Sequence, residues 1–241
     1  VSRTPPTVFI VDDDADVRRA LARLLCAARY VTRSFGSASE FLAHHDPTVP
    51  GCLLLDLAMP DRSGLDVQST LADSDCHRPI IFLSGHGSIA ESVIAMRAGA
   101  VNFLTKPVEN EELLGAVEEA IRMDEEQRRA TGLKQIVQER IATLTPRERE
   151  VLAHVVEGRM NKQIAGDLGT VLKTIKVHRA RVMHKMRARS LAQLVKLIAA
   201  SGVVLNRPEC TSELPAHDVK YSGPMGPTGG SHSIGSGVAH W

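Results

Sequence analysis

At 241 residues and 43% hydrophobic, the chain is long enough for two domains or one large one and apolar enough for real cores. No stretch approaches the ~18 uncharged apolar residues of a membrane span, and the amino end, VSRTPPTVFIVDDD, meets acids too early for a signal peptide, so a soluble protein is expected. The net charge of +1 hides an asymmetry: residues 1–125 carry 11 Lys/Arg against 19 Asp/Glu and residues 126–199 carry 16 against 6, which argues against one domain with one partner and makes the back half a candidate for phosphate backbones.

Residues 7–11 (TVFIV) form a β-branched and aromatic run that ends in Asp12, Asp13 and Asp14. A periodic helix follows, with Val17, Leu21, Leu24 and Leu25 on one face and Arg18, Arg19 and Arg23 on the other. Asp14 stands where an N-cap belongs and is spent on backbone amides, which leaves Asp12 and Asp13 at the strand end. Residues 30–35 read as a second strand and 37–45 as a second helix. In GCLLLDLAMP, residues 51–60, a short apolar run leads straight into Asp56, as in a strand buried on both faces of a parallel sheet. A short helix over 65–72, a strand over 79–84, a helix over 89–98 and a strand over 101–105 come next. Lys106-Pro107 closes that last strand, and a fifth helix starts at residue 109 and reaches about residue 126.

Strands alternating with helices at this spacing predict an α/β fold, a doubly wound parallel sheet of five strands in flavodoxin-like order 2-1-3-4-5. The ends of strands one, three, four and five then open on one edge and gather Asp12, Asp13, Asp56, Ser84 and Lys106. Three carboxylates within ~5 Å repel by roughly 3 kcal/mol per pair at an effective dielectric near 20, so the cluster calls for a divalent cation. Ligands that are all oxygen select Mg²⁺ or Mn²⁺ over zinc. In that setting Asp56 can attack phosphorus to give an acyl phosphate, Lys106 can pair with the phosphoryl oxygens and Ser84 can donate to them. His86, between two glycines, reads as a loop residue. The cysteines (Cys26, Cys52, Cys76, Cys210) show no CxxC spacing and three of them fall in apolar or helical contexts, so reduced, buried thiols in a cytoplasm are expected.

Residues 123–140 (MDEEQRRATGLKQIVQER) are charged and helix-prone, and Thr131-Gly132 leaves two readings open, a hinged linker or one unbroken helix. Thr145, Pro146 and Glu148 form a helix start with a capping box, and Val151, Leu152, Val155 and Val156 make its apolar stripe. Asn161 opens a short helix that Gly169 ends, a third helix spans about 172–187, and Ser190 caps a fourth. A short helix, a glycine turn and a longer helix predict a helix-turn-helix within a small all-α domain of four helices. From Lys173 to Arg189 there are seven Lys/Arg and no acid. With Ile175, Val182, Met183 and Met186 turned to the core, Lys173, Val177, Ala180, Arg181 and His184 lie opposite and Lys176 on the flank, a face suited to phosphates, base edges and thymine methyls. Arg179 falls near the apolar side and is expected to snorkel. Residues 201–241, rich in Gly, Pro and Ser, are expected to be disordered.

Residues 7–125 resemble the receiver domain of two-component response regulators, on VDDD at 11–14, LLLDLAMPDRSGLD at 53–66, SGHG at 84–87 and GAVNFLTKP at 99–107. The resemblance implies that Asp56 is the phosphoacceptor, that the Ala58 backbone carbonyl joins Asp12, Asp13 and Asp56 around the metal, and that Phe103 moves inward with Ser84. REREVLAHVVEGRMNKQIA and KTIKVHRARVMHKM resemble the LuxR-type DNA-binding domain, and the combination is similar to the FixJ subgroup. This implies a receiver over 7–125, a linker helix over 126–142 and a DNA-binding domain over 143–200, with a sensor histidine kinase, double-stranded DNA, RNA polymerase and a second copy of the chain on phosphorylation as partners. The sequence departs from the family at Val108, in place of an aromatic after Lys-Pro, and at Val171, in place of a Ser N-cap. The second loss costs about 1 kcal/mol unless Thr170 caps one residue early. Two other readings compete: a magnesium-dependent phosphatase, against which Ala58 stands where a second Asp is needed, and an interaction protein whose Asp56 takes up nothing.

Overall fold

The computed structural model describes residues 5–74, 77–85 and 89–205. Cys76, His86, Cys210 and the stretch from 206 onward lie outside the described residues; of the two described cysteines Cys52 is buried as expected, whereas Cys26 is exposed. The first half alternates β1 (Thr7–Val11), α1 (Ala15–Ala27), β2 (Val31–Phe35), α2 (Ala38–His44), β3 (Gly51–Asp56), α3 (Gly64–Asp73), β4 (Ile80–Ser84), α4 (Ile89–Arg97), β5 (Asn102–Thr105) and α5 (Asn110–Ala142). All four strand pairings are parallel and the order is β2-β1-β3-β4-β5, as the sequence predicts.

Alternation along the strands builds two cores from one sheet. Phe9, Val11, Leu53, Leu55 and Phe82 face Phe41 of α2, Val67 and Leu71 of α3, and Ala95 of α4. Val8, Ile10, Cys52, Leu54, Ile81 and Leu83 face Leu25 of α1 and Leu113, Val117 and Ile121 of α5. Every residue of β3 is buried, so its apolar run needs both helical layers. Gly51 opens β3 at φ +135°, where a Cβ would lie 1.8 Å from the Thr7 carbonyl oxygen, so the start of this strand admits glycine alone.

Of the two readings of residues 123–140, the chain adopts the unbroken helix: α5 runs 33 residues through Gly132. Two cores hold it. Its first half is buried on the sheet, and Leu133, Val137 and Ile141 pack into the core of the helical half. Between them, the buried Asp124 carboxylate accepts from the Gly51 amide at 2.8 Å and from Arg128 Nε at 2.8 Å. The guanidinium of Arg128 also donates to the carbonyls of Pro47, Thr48 and Val49, and Arg78 donates to those of Asp46, Val49 and Gly51. Two arginines thus tie the loop before β3, and one of them ties it to α5.

The second half contains α6 (Pro146–Val156), α7 (Asn161–Asp167), α8 (Leu172–Lys185) and α9 (Leu191–Ser201). The Thr145 and Glu148 capping box forms as expected. Gly169, at φ +58°, makes the turn between α7 and α8. One point left open by the sequence is decided here, and one expectation needs correction. Thr170 does not replace the missing cap: α8 starts from Val171 with no side-chain cap bond, and the Thr170 amide closes the end of α7 on the Ala165 carbonyl at 2.9 Å. Val203 and Leu205, inside the stretch expected to be disordered, pack on the helical core.

Replacing Arg128 with Ala leaves the buried Asp124 carboxylate with one amide donor, and a loss of about 2–3 kcal/mol is expected in urea unfolding of the α/β half. Arg128→Lys, which keeps the charge but not the forked donor, should recover less than half of it.

Candidate functional site

The carboxyl edge of the sheet carries the first site. Asp12 follows β1 directly and Asp56 ends β3, and pairing β1 beside β3 sets the two side by side. One oxygen each from Asp12, Asp13 and Asp56 lie within 4.8 Å of one another, a spacing one ion can span. Asp12 and Asp56 are buried and Asp13 is exposed, so the cluster has one open side. Lys106, just beyond β5, places Nζ 2.7 Å from Asp12 Oδ2 and 2.8 Å from Asp56 Oδ1. Arg18 donates to the Asp12 backbone carbonyl at 2.5 Å, and the Asp14 amide donates to Asp12 Oδ1 at 2.9 Å. As predicted, Asp14 itself caps α1, accepting from the Asp16 and Val17 amides, which hold its carboxyl below the usual range.

Burial pushes the Asp56 carboxyl above its ordinary range, against the pull of the Lys106 hydrogen bond and charge. Burial also acts to lower Lys106, but its bonds to Asp12 and Asp56 outweigh that and raise it. The donors are all oxygen, two from one strand end and one from its neighbour, and suit a hard divalent cation such as Mg²⁺. Ser84 ends β4 beside Thr105, is buried, and its carbonyl accepts the Lys106 amide at 2.8 Å. Phe103, half-buried on β5, lies 6.2 Å from the Phe82 ring between centroids. Ala58 is exposed in the loop after β3. The sheet therefore brings Asp12, Asp13, Asp56 and Lys106 into contact distance and sets Ser84 on the adjoining strand end.

The second site is α8. Ile175, Val182 and Met186 are buried and Met183 is half-buried, which leaves Lys173, Lys176, Val177, Ala180, Arg181 and His184 exposed along the opposite face. Two of the seven basic residues are turned inward. Arg179 does not snorkel: its Nη1 donates to Asn161 Oδ1 at 2.9 Å and joins α8 to α7. Lys185 Nζ donates to Glu148 Oε2 at 2.6 Å and to the Thr143 carbonyl at 3.0 Å, and Arg140 Nη1 donates to the Met186 carbonyl at 3.0 Å. The carboxyl end of α8 is thus bonded to the carboxyl end of α5. Charge counting missed these roles, because Lys185 and Glu148 meet only when α6 and α8 cross.

An aspartate pocket at the carboxyl edge of a five-stranded parallel sheet, joined to a helix-turn-helix with a basic exposed face, defines a regulator with a receiver and a DNA-binding domain. The chain belongs to the two-component response regulators that carry a LuxR-family DNA-binding domain. Residues 8–118 match the response regulator receiver domain and residues 142–198 the bacterial regulatory proteins of the luxR family. The chain is 44% identical to Nodulation protein W of Bradyrhizobium diazoefficiens, over 86% of this chain and 92% of that one. It is 40% identical to the transcriptional regulatory protein FixJ of Rhizobium meliloti, over 83% and 98%. The solved structure of response regulator StyR superposes with a TM-score of 0.73 at 44% identity, covering 81% of this chain and 98% of that one. No described helix is long and apolar enough to cross a membrane.

The hydrogen bond from Lys185, with the Thr145 amide, holds the Glu148 carboxyl below its usual range. Its contribution to stability is therefore complete above the ordinary glutamate value of 4.5 and is lost as pH falls through the lower folded value. Glu148→Gln should lower the stability of the helical domain at pH 7 by about 1–2 kcal/mol and flatten its dependence on pH below the ordinary glutamate value, read by circular dichroism melts across that range.

Proposed function

We propose that Asp56 is the phosphoacceptor of this response regulator and that its phosphorylation controls how α8 engages DNA. The observation that carries the reading is the convergence of Asp12, Asp13, Asp56 and Lys106, in a chain whose helix-turn-helix presents an exposed basic face. Asp12, Asp13 and Asp56, with the Ala58 carbonyl, would hold Mg²⁺ or Mn²⁺. When bound, the ion offsets the negative charge of the pocket and of the incoming phosphoryl group. Lys106 holds one Asp56 oxygen and leaves the other for in-line attack on the phosphorus of the kinase phosphohistidine. The P–N bond breaks, the P–O bond to Asp56 forms, and the released imidazole takes up a proton. Lys106 and the Ser84 hydroxyl then bind the new phosphoryl oxygens, and Phe103 follows Ser84 inward. Hydrolysis of the acyl phosphate by water returns the carboxylate, so the protein switches itself rather than turning over a metabolite.

The output side rests on two surfaces. Ile89, Val93, Ile94 and Met96 are exposed on α4, a patch suited to a second copy of the chain on phosphorylation. A dimer sets two α8 helices on successive faces of the major groove. There Lys173, Lys176, Arg181 and His184 meet phosphates and base edges, and Val177 meets a thymine methyl. The domain division follows: a receiver over 7–125, a linker helix over 126–142 and a DNA-binding domain over 143–200. RNA polymerase, in the cytoplasm, is the partner that reads the bound state.

With acetyl phosphate and Mg²⁺, the wild-type chain should gain one phosphoryl group by intact mass spectrometry and Asp56→Asn none; equal uptake by the variant would sink the assignment. Lys176→Ala should weaken DNA binding and reduce the slope of log affinity against log salt by about 1, measured by fluorescence anisotropy.

A further inference from the structure

The loop between β3 and α3, residues 57–63, carries Ala58 and is closed at its base, where the Leu57 amide donates to the Leu83 carbonyl and the Gly64 amide to the Leu57 carbonyl, both at 2.9 Å. Gly64 closes it tightly: a Cβ there would lie 2.6 Å from the Asp56 carbonyl oxygen and 2.9 Å from the Phe82 ring. The base is therefore fixed, but Ala58 and Asp61 stand out in solvent. At the tip, Asp61 Oδ2 accepts the Ser39 backbone amide of α2 at 2.9 Å. That amide lies 22 residues back in sequence, in a different helix, so the bond exists only in the folded sheet. Ser37 takes the Glu40 amide at 3.1 Å and Glu40 takes the Gly36 amide at 2.7 Å, so α2 has its own local bonds and Asp61 adds an attachment from outside it.

We infer that Asp61 is a positioning residue for the divalent ion: it anchors the tip of the loop to α2 and so fixes where the Ala58 carbonyl points. The inference rests on the proposed pocket of Asp12, Asp13 and Asp56 and adds a residue that does not touch the ion. Side-chain ligands reach an ion by rotating, whereas a backbone carbonyl is aimed only by its loop. A partner that orients a ligand from the next layer is typically worth about 10-fold or more in metal affinity. Asp61 is also a negative charge on the loop that carries Ala58, and the two effects are separable. Asn at this position keeps an oxygen for the Ser39 amide and discards the charge; Ala discards both.

The test is Mn²⁺ binding to the full chain, followed by loss of the free-ion electron paramagnetic resonance signal, with amide hydrogen exchange of residues 57–63 measured alongside. Asp61→Ala should bind Mn²⁺ about 10-fold more weakly than wild type and exchange its loop amides faster. Asp61→Asn should stay within about twofold of wild type in affinity and keep slow exchange, since the bond rather than the charge is retained. Equal weakening by both substitutions would show a charge effect and overturn the inference, as would wild-type affinity in Asp61→Ala. Asp13→Ala serves as the control for the pocket: if it binds as tightly as wild type, the ion is elsewhere and the pocket reading fails first, taking the role of Asp61 with it.

Discussion

Three carboxylate oxygens held within 4.8 Å of one another are the constraint that the α/β half is built to sustain. Each pair repels by about 3 kcal/mol at an effective dielectric near 20, so the arrangement persists only because strong bonding elsewhere pins both strands. β1 pairs along its full length with β3, and their apolar side chains fill cores on both faces. Lys106 supplies the nearest positive charge, bonded to two of the three acids. Burial and the lysine pull Asp56 in opposite senses, burial raising its carboxyl and the Lys106 hydrogen bond and charge lowering it.

The same strand carries a second constraint at its other end. Gly51 donates to Asp124, and Asp124 with Arg128 fixes α5 where it leaves the sheet. From there α5 continues without a break into the helical core, and its last turn is bonded to the end of α8 through Arg140 and the Thr143 carbonyl. One helix is therefore a structural member of both domains. The hydrophobic contacts of Leu133, Val137 and Ile141 offset the roughly 1 kcal/mol that Gly132 costs inside a helix.

On α8 the charges divide by what they touch. Arg179 and Lys185 are bound within the domain and brace α8 against α7 and α6. Lys173, Lys176, Arg181 and His184 remain exposed with Val177 and Ala180 among them. A uniformly basic stretch thus separates into a bracing side and a free side, and only the free side is available to a polyanion. The uncapped start at Val171 is tolerated because Ile175, Val182 and Met186 anchor the helix by burial.

Much of this was legible in the chain itself, because strand and helix periods are local. The run CLLL before Asp56 marked a strand buried on both faces, and the strand order placed Asp12, Asp13, Asp56 and Lys106 on one edge. The capping box at Thr145 and the buried and exposed faces of α8 were equally readable, since both depend on residues three and four apart. What periodicity could not settle was every interaction between residues distant in sequence. Gly132 leaves a hinge and an unbroken helix both open until a second core is packed against the residues after it. Asp124 and Arg128 show only the i, i+4 spacing of an ordinary surface pair until the loop before β3 arrives. Asp61 meets Ser39, and Lys185 meets Glu148, only across elements. By itself the sequence determined which residues form strands and helices and which strand ends carry acids, since those follow from local pattern and chemical type. Tertiary structure alone decided which polar groups are spent on holding the fold and which are left for chemistry, because a hydrogen bond is claimed by whichever donor the packing brings within about 3 Å.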